Sequence, residues 1–318
     1  MDAVCHGSNS SSNALEIEWW SSLKLLVTGA SGLYGSKLSS LAVEKNFEVY
    51  SCDVQQLPVC GNFVKFDVSN KELVNEAFRR VKPDVVIHAA SLTDVDKCEL
   101  NKELTWKVNV EGTKNIVEAA KNAGSFVIYI STDYVFNGEK GNYKENDEPG
   151  PINYYGLTKL KAEEIVKTQA EYFIARPSVI YGSTPAAGKV NFALWLIETL
   201  RKGERVKIIT DQWNTPTLNT NLAEMTLEVV ERKLTGIFHL CGATRVSRFE
   251  FAQLVAEAFD LDKSLIDPVL SSQFTWHAER PMDSSLDTSK ALQTLQHKPL
   301  SMDKALERLK FELTQKKQ

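Results

Sequence analysis

Residues 25–35, Leu25-Leu26-Val27-Thr28-Gly29-Ala30-Ser31-Gly32-Leu33-Tyr34-Gly35, leave the chain few conformational choices. An apolar run containing a β-branched residue stops at a glycine, and an amphipathic stretch starts just beyond. That order reads as a strand, a tight turn and a helix N-terminus. Gly29 permits the turn, Gly32 lets backbone approach a ligand with no Cβ in the way, and Gly35 lets the helix lie against the strand. The helix start then offers unpaired N–H groups and a partial positive charge, the surroundings a pyrophosphate needs. The spacing is Gly-x-x-Gly-x-x-Gly. Asp53, 18 positions after Gly35, stands near the place of an acid that binds the adenosine ribose hydroxyls and disfavours a 2′-phosphate. Together these features point to a dinucleotide site.

The rest of the chain from Leu23 fits that beginning. Expected strands at Glu48–Cys52, Phe63–Phe66, Val85–His88, Phe126–Ser131 and Tyr172–Arg176 alternate with helices. Ser69-Asn70-Lys71-Glu72 reads as a capping box opening a helix to about Arg80. A helix over about Lys102–Asn122 ends at Gly124. The alternation implies an α/β fold, a Rossmann-type doubly wound parallel sheet, over residues 23–182. Ligands of such sheets bind beyond the strands' carboxyl ends. Gly29, Asp53, Asp67, Ala89-Ala90-Ser91 and Ser131-Thr132-Asp133 all fall there. Asp67 suits either the adenine amino group or a helix cap, and His88 reads as a packed residue near the cofactor. After Gly182 the rhythm is less regular. Residues 183–318 read as a smaller substrate-binding lobe, packed intimately on the first domain, with strand exchange between them possible.

Composition narrows the function. The 318 residues carry a net charge of −4 with no basic block, which argues against nucleic acid and anionic membrane surfaces. No apolar run reaches membrane-spanning length. The five cysteines, Cys5, Cys52, Cys60, Cys98 and Cys241, are scattered and odd in number, as expected of reduced thiols in a cytoplasmic protein. No metal-ligand spacing appears. Residues 1–22, rich in Ser and Asn, read as a disordered tail, and Leu23-Lys24-Leu25-Leu26 looks like the opening of the domain itself.

Two further strings carry chemistry. Tyr155-Gly156-Leu157-Thr158-Lys159 opens an expected helix, and positions i and i+4 share a helix face. A nearby ammonium favours phenolate, and a phenol so tuned can give a proton to a carbonyl oxygen while hydride arrives at its carbon. Lys159 can also hold the nicotinamide ribose hydroxyls. Ser131-Thr132-Asp133-Tyr134-Val135-Phe136 ends a strand, where a hydroxyl can steady the reacting oxygen.

These strings, with Thr210-Asp211-Gln212, Pro216-Thr217, Arg280-Pro281 and Leu286-Asp287, make the chain resemble an extended short-chain dehydrogenase/reductase. Within that superfamily it resembles the dTDP-4-dehydrorhamnose reductase family from about Leu23 onward. Sugar-nucleotide dehydratases usually carry Asp-Glu after the catalytic Thr; Asp133-Tyr134 here favours a reductase. The resemblance implies Thr132, Tyr155 and Lys159 as the catalytic set. It places Gly32-Leu33-Tyr34, Asp53, Asp67-Val68 and Ser91-Leu92-Thr93 around NADPH or NADH. It puts Val95, Thr132, Asp133 and Arg280 against a nucleotide-sugar substrate, with Asn191-Phe192 near the nucleotide. Val179 stands where bacterial members carry a tryptophan over the sugar. Lys37 stands where some carry a glutamate for a magnesium-bridged dimer, so no metal is implied and a homodimer stays open. The regulatory β subunit of methionine adenosyltransferase is similar over the same span, which implies a non-catalytic NADP-binding partner of that enzyme as an alternative. A sugar-nucleotide epimerase would share the site and differ in the substrate lobe.

Overall fold

The computed structural model describes residues 23–55, 60–184 and 190–315; the tail expected over 1–22 lies outside the described residues. The first half runs β1 (Lys24–Thr28), α1 (Leu33–Glu44), β2 (Glu48–Asp53), β3 (Asn62–Lys65), α2 (Lys71–Val81) and β4 (Val85–His88). There follow α3 (Val95–Leu100), α4 (Lys102–Trp106), a π-helical turn (Lys107–Glu111), α5 (Gly112–Ala123), β5 (Phe126–Ile130), α6 (Tyr154–Val166) and β6 (Tyr172–Ala175). The second half contains β7 (Ile180–Tyr181), α7 (Phe192–Arg201), β8 (Val206–Ile209), β9 (Trp213–Asn214), β10 (Thr217–Leu218) and α8 (Asn219–Arg232). It closes with β11 (Gly236–Phe238), β12 (Val246–Ser247), α9 (Arg248–Ala258), β13 (Ile266–Val269), α10 (Ser289–Thr294) and α11 (Met302–Gln315).

Seven strands form one sheet in the order β11-β6-β5-β4-β1-β2-β3, and every pairing in it is parallel. Parallel strands covered on both faces read as unbroken apolar runs, which is why Leu25, Leu26 and Val27 are all fully buried. On one face Leu38 and Ala42 of α1 pack with Leu222 and Val229 of α8. On the other lie Val74 and Phe78 of α2, Ile116 and Ala120 of α5, and Ala162 and Val166 of α6. The strand order reverses between β1 and β4, the switch point where a crevice opens beyond the carboxyl ends. Thr28 sits in register with Cys52 on one side and His88 on the other, and His88 with Tyr129, so the candidate residues line one edge.

The chain beyond residue 182 divides between two places. Helix α8 packs along α1, and β11 extends the large sheet beside β6. The remainder builds a separate cluster in which Ile197 of α7, Val206 of β8, Phe251 of α9 and Leu306 of α11 pack together.

Two helix starts differ from expectation. Asn70, not Ser69, caps α2, its Oδ1 accepting from the Leu73 N–H at 3.0 Å. The Ser69 N–H donates to Asp67 Oδ1 at 2.8 Å, an Asx turn that competes with the expected box. A true capping box opens α9: the Ser247 hydroxyl accepts from the Glu250 N–H at 3.0 Å, and Glu250 Oε2 from the Ser247 N–H at 2.8 Å. The helix expected over 102–122 is interrupted by the π turn, and α3 was not foreseen.

Candidate active site

The glycine turn is built for close backbone approach. Gly29 has φ +70°, and a Cβ there would lie 2.8 Å from the Ala90 nitrogen. A Cβ at Gly35 would fall 2.2 Å from the Gly29 carbonyl oxygen, so α1 seats directly on the turn. The Gly32 N–H closes the turn on Gly29 O at 3.0 Å. Gly32 is the N-cap of α1 and no side chain caps that helix. Its first N–H groups therefore have no side-chain cap among the described residues, which fits a bound pyrophosphate. Asp53 borders the turn, Oδ2 accepting from the Ser31 N–H at 3.0 Å and Oδ1 from the Gln55 N–H at 3.3 Å. The Tyr34 side chain turns inward. Its ring is buried and its hydroxyl donates to Thr226 Oγ1 of α8 at 2.8 Å, and burial pushes the phenol up. Only the backbone of Tyr34, at the helix N-terminus, is available to a cofactor. Leu33 likewise gives its carbonyl to Asn219 Nδ2 at 2.9 Å.

The next strand end is held by a relay of hydrogen bonds. The Ala90 N–H donates to Thr28 Oγ1 at 3.2 Å. Thr28 Oγ1 lies 2.7 Å from His88 Nδ1, and His88 Nε2 lies 3.1 Å from Thr113 Oγ1. Thr113 spends its proton on Asn109 O at 2.7 Å, so it accepts from His88 Nε2–H and His88 Nδ1 accepts from Thr28. Burial, and then the Lys159 charge, pull His88 down to about 3; it is the packed, neutral residue expected.

Ser91, Leu92 and Thr93 continue this edge, and Asn109 fixes them. Asn109 Oδ1 accepts from Ser91 Oγ at 3.0 Å and the Leu92 N–H at 2.8 Å, while Nδ2 donates to Leu92 O and Thr158 Oγ1, both at 3.1 Å. Sequence reading missed Asn109. The available signal was an amide between two valines on the apolar side of a helix, where asparagine is a poor helix former. The π turn that displaces it inward is typical of functional positions. Val68 is buried against Gly112, and Asp67 accepts from the Ser69 N–H in its own turn ahead of the Asn70 cap.

Tyr155 and Lys159 lie in the first turns of α6, whose N-cap Asn153 accepts from the Gly156 N–H at 2.8 Å. Both side chains are buried. Lys159 Nζ donates to Ile130 O at 2.7 Å and stands 4.2 Å from the Tyr129 ring centroid. Burial pulls Lys159 down to about 7, opposed by Glu163 one turn on. Burial pushes Tyr155 up, and the hydrogen-bonded Thr132 hydroxyl works against it. The expectation that the ammonium lowers the phenol is therefore corrected: burial raises it, and Asp133 adds to the rise.

A second cleft, of about 270 Å³, opens in the smaller lobe. Phe192, Trp195, Phe274 and Trp276 give it aromatic walls, and Lys207, Arg248 and Arg280 give it positive charge. Gln212 also lines it, and its buried Nε2 has no hydrogen-bond partner among the described residues. Arg280 is held by Asp96 Oδ2 and Ala278 O, both at 2.8 Å. Such a lining suits an aromatic base with attached phosphates. Among the described residues, no group of three or more His, Cys, Asp or Glu is gathered to hold a metal, and no helix is long and apolar enough to cross a membrane.

The family model described as the RmlD substrate binding domain matches residues 23–314. The chain belongs to the RmlD substrate-binding-domain family. A dTDP-4-dehydrorhamnose reductase of Escherichia coli K12 is 32% identical to it over 282 residues, 84% of this chain and 90% of the relative. Methionine adenosyltransferase 2 subunit beta of Xenopus laevis is 29% identical over 275 residues, 85% of this chain and 81% of the relative. A crystal structure of dTDP-4-dehydrorhamnose reductase from Bacillus anthracis in complex with NADP is similar with a TM-score of 0.83 and 29% identity, covering 92% of this chain and 99% of that one.

Within this RmlD-family fold the expected substrate residues separate into two groups. Phe192 and Arg280 line the second cleft, and half-buried Val95 opens α3 one residue before the Asp96 that holds Arg280. Asn191 is committed elsewhere: it caps α7, accepting from the Leu194 N–H at 3.3 Å, and its Nδ2 donates to Gly182 O at 2.9 Å. Asp133 is likewise spent on neighbouring hydroxyls. Val179 is half-buried with φ +38°, a left-handed conformation that a β-branched residue resists; Thr217 N–H holds its carbonyl at 3.1 Å.

Proposed function

We propose that this chain is an NADPH- or NADH-dependent reductase of the 4-keto group of a nucleotide-activated 4-keto-6-deoxysugar, with dTDP-4-dehydrorhamnose the substrate that the names of its relatives suggest. One observation carries the reading: buried Tyr155, Lys159 and Thr132 stand at the same sheet edge as an uncapped glycine turn. The turn and the N-terminus of α1 bind the cofactor pyrophosphate, and Asp53 faces the adenosine ribose. A bound reduced nicotinamide supplies the hydride. Lys159 holds the nicotinamide ribose. Tyr155 delivers the proton to the substrate oxygen, and Thr132 orients the carbonyl. Arg280 and the aromatic walls of the second cleft take the nucleoside diphosphate. Residues 23–182 serve as the cofactor domain and 183–318 as the substrate lobe, and the free Cys52, Cys60, Cys98 and Cys241 suit a reducing cytoplasm.

The likeness to the methionine adenosyltransferase subunit supports a second reading, a cofactor-binding regulatory partner without turnover. One experiment separates the two. Reduced-nicotinamide absorbance is followed with dTDP-4-dehydrorhamnose, beside a pull-down with methionine adenosyltransferase. Steady oxidation of the cofactor with no complex is the expected result. No turnover with nucleotide 4-keto sugars, together with a stable complex, replaces the reductase reading by the regulatory one.

A further inference from the structure

Asp133 is only 3% exposed, and its carboxylate is fully used. Oδ1 accepts from Thr132 Oγ1 at 3.1 Å, and Oδ2 accepts from Ser178 Oγ at 2.8 Å and Ser284 Oγ at 2.6 Å. The three hydroxyls come from different parts of the chain: the end of β5, the segment after β6, and the segment that follows Arg280. Each partner is fixed in turn. The Ser178 N–H donates to Thr217 Oγ1 at 3.2 Å, and the Ser284 N–H to Trp213 O at 3.0 Å. The backbone N–H of Asp133 itself donates to Pro177 O at 3.0 Å.

A hydroxyl has one proton and two lone pairs. Thr132 gives its proton to Asp133 and accepts from the Tyr134 N–H at 3.2 Å. We infer that Asp133 is a positioning residue: it fixes the Thr132 hydroxyl, and through Ser284 it ties that geometry to the segment carrying Arg280. Ser284 is four residues from Arg280, so the catalytic hydroxyl and the arginine of the second cleft share one anchor. A carboxylate suits the place because it accepts from several donors at once. An amide at 133 offers one oxygen and one NH₂ group. If the oxygen keeps the two serines, the NH₂ group turns on Thr132 and reverses the direction of its proton.

Two measurements test the clamp, and only the second rests on the reductase reading. The first is a stability cycle by urea unfolding with Thr132→Val, Ser284→Ala and the double variant, repeated in an Asp133→Asn background. Thr132 and Ser284 are joined through Asp133, so their midpoint shifts are expected to be non-additive with Asp133 and additive with asparagine. Additive shifts with Asp133 present overturn the proposal whatever the activity. The second is steady-state kinetics with dTDP-4-dehydrorhamnose. Ser284→Ala is expected to lower kcat roughly tenfold, the scale of one lost charge-assisted hydrogen bond, with KM nearly unchanged and the cofactor Kd the same. Ser284→Thr, which returns the hydroxyl, restores kcat. Wild-type kcat in Ser284→Ala also overturns the clamp. If the wild-type protein shows no turnover, the reductase reading fails and the stability cycle alone decides the clamp.

Discussion

Tyr155 and Lys159 sit four residues apart, and the same cause moves them in opposite directions. Burial raises the phenol and lowers the ammonium to about 7, because desolvation penalises whichever form is charged. Both shifts favour the neutral pair, a phenol that keeps its proton until a substrate oxygen takes it. The two residues nevertheless have separable duties. Tyr155→Phe removes only the hydroxyl and keeps the ring that packs edge-on against Tyr134 at 6.0 Å. Turnover is expected to fall by about 10²-fold or more, the scale of a lost general acid, while cofactor affinity measured by fluorescence titration stays near wild type. Lys159→Met removes the donor to Ile130 O and the cation beside the expected ribose. Both turnover and cofactor affinity should fall in that variant. Cofactor affinity that collapses equally in both variants rules out this division of labour.

At the scale of elements, the glycine turn and α1 make the sharpest case. A methyl at Gly35 meets Gly29 O at 2.2 Å, an atom of backbone held by the turn's own hydrogen bond, so the helix must shift bodily. Gly35→Ala is expected to cost about 1–3 kcal/mol by overpacking, and to weaken cofactor binding at least tenfold because the helix start moves. Gly124 gives the control. It has φ +72°, ends α5, and a Cβ there meets nothing within 4 Å. Gly124→Ala should lose about 1 kcal/mol from backbone strain and leave cofactor binding intact. Thermal melts and cofactor titrations of the two variants check both statements. This turn was legible in the sequence because each of its requirements is local: apolar strand, glycine spacing, helix pattern. Tyr155 and Lys159 were legible for the same reason, since i and i+4 share a face on any helix. Asn109 was not, because a π turn is one extra residue within an otherwise regular helical pattern. The α2 cap was displaced by a single residue, since Ser, Asn and Asp all compete for the same few N–H groups. The spent carboxylate of Asp133 was hidden because Ser178 and Ser284 reach it from across the fold.

For the molecule as a whole, what could not be read was which parts of the second half return to the first. Helix α8 carries Thr226 to the Tyr34 hydroxyl, and β11 carries His239 to the edge of the large sheet, just after the strand's last residue. The return has a consequence in acid. His239 is buried beside Arg176 and Phe136, its Nδ1 3.1 Å from Asp287 O and its Nε2 without a hydrogen-bond partner among the described residues. Burial, with Arg176 adding to it, pulls His239 down to about 3; His88, between Thr28 and Thr113, is also pulled down to about 3. In the unfolded chain both take up a proton near their ordinary value of 6.5, while in the folded protein neither does. The unfolded state therefore binds more protons at every pH between about 3 and 6.5, and stability falls as the pH drops through that window. Each histidine contributes a slope approaching about 1.4 kcal/mol per pH unit once its unfolded form is protonated. Between pH 6.5 and 5 the carboxylates still keep their charge for the most part, so the loss there belongs chiefly to histidine. Urea unfolding between about pH 6 and 5, below the pH near 7 where Lys159 also changes charge in the fold, should show this decline in the wild-type protein. His88→Gln and His239→Gln should each lower stability at pH 7.5 yet flatten the dependence by one proton, and the double variant by two. A decline that keeps its full slope in the double variant means that the loss in acid arises elsewhere than in these two buried rings.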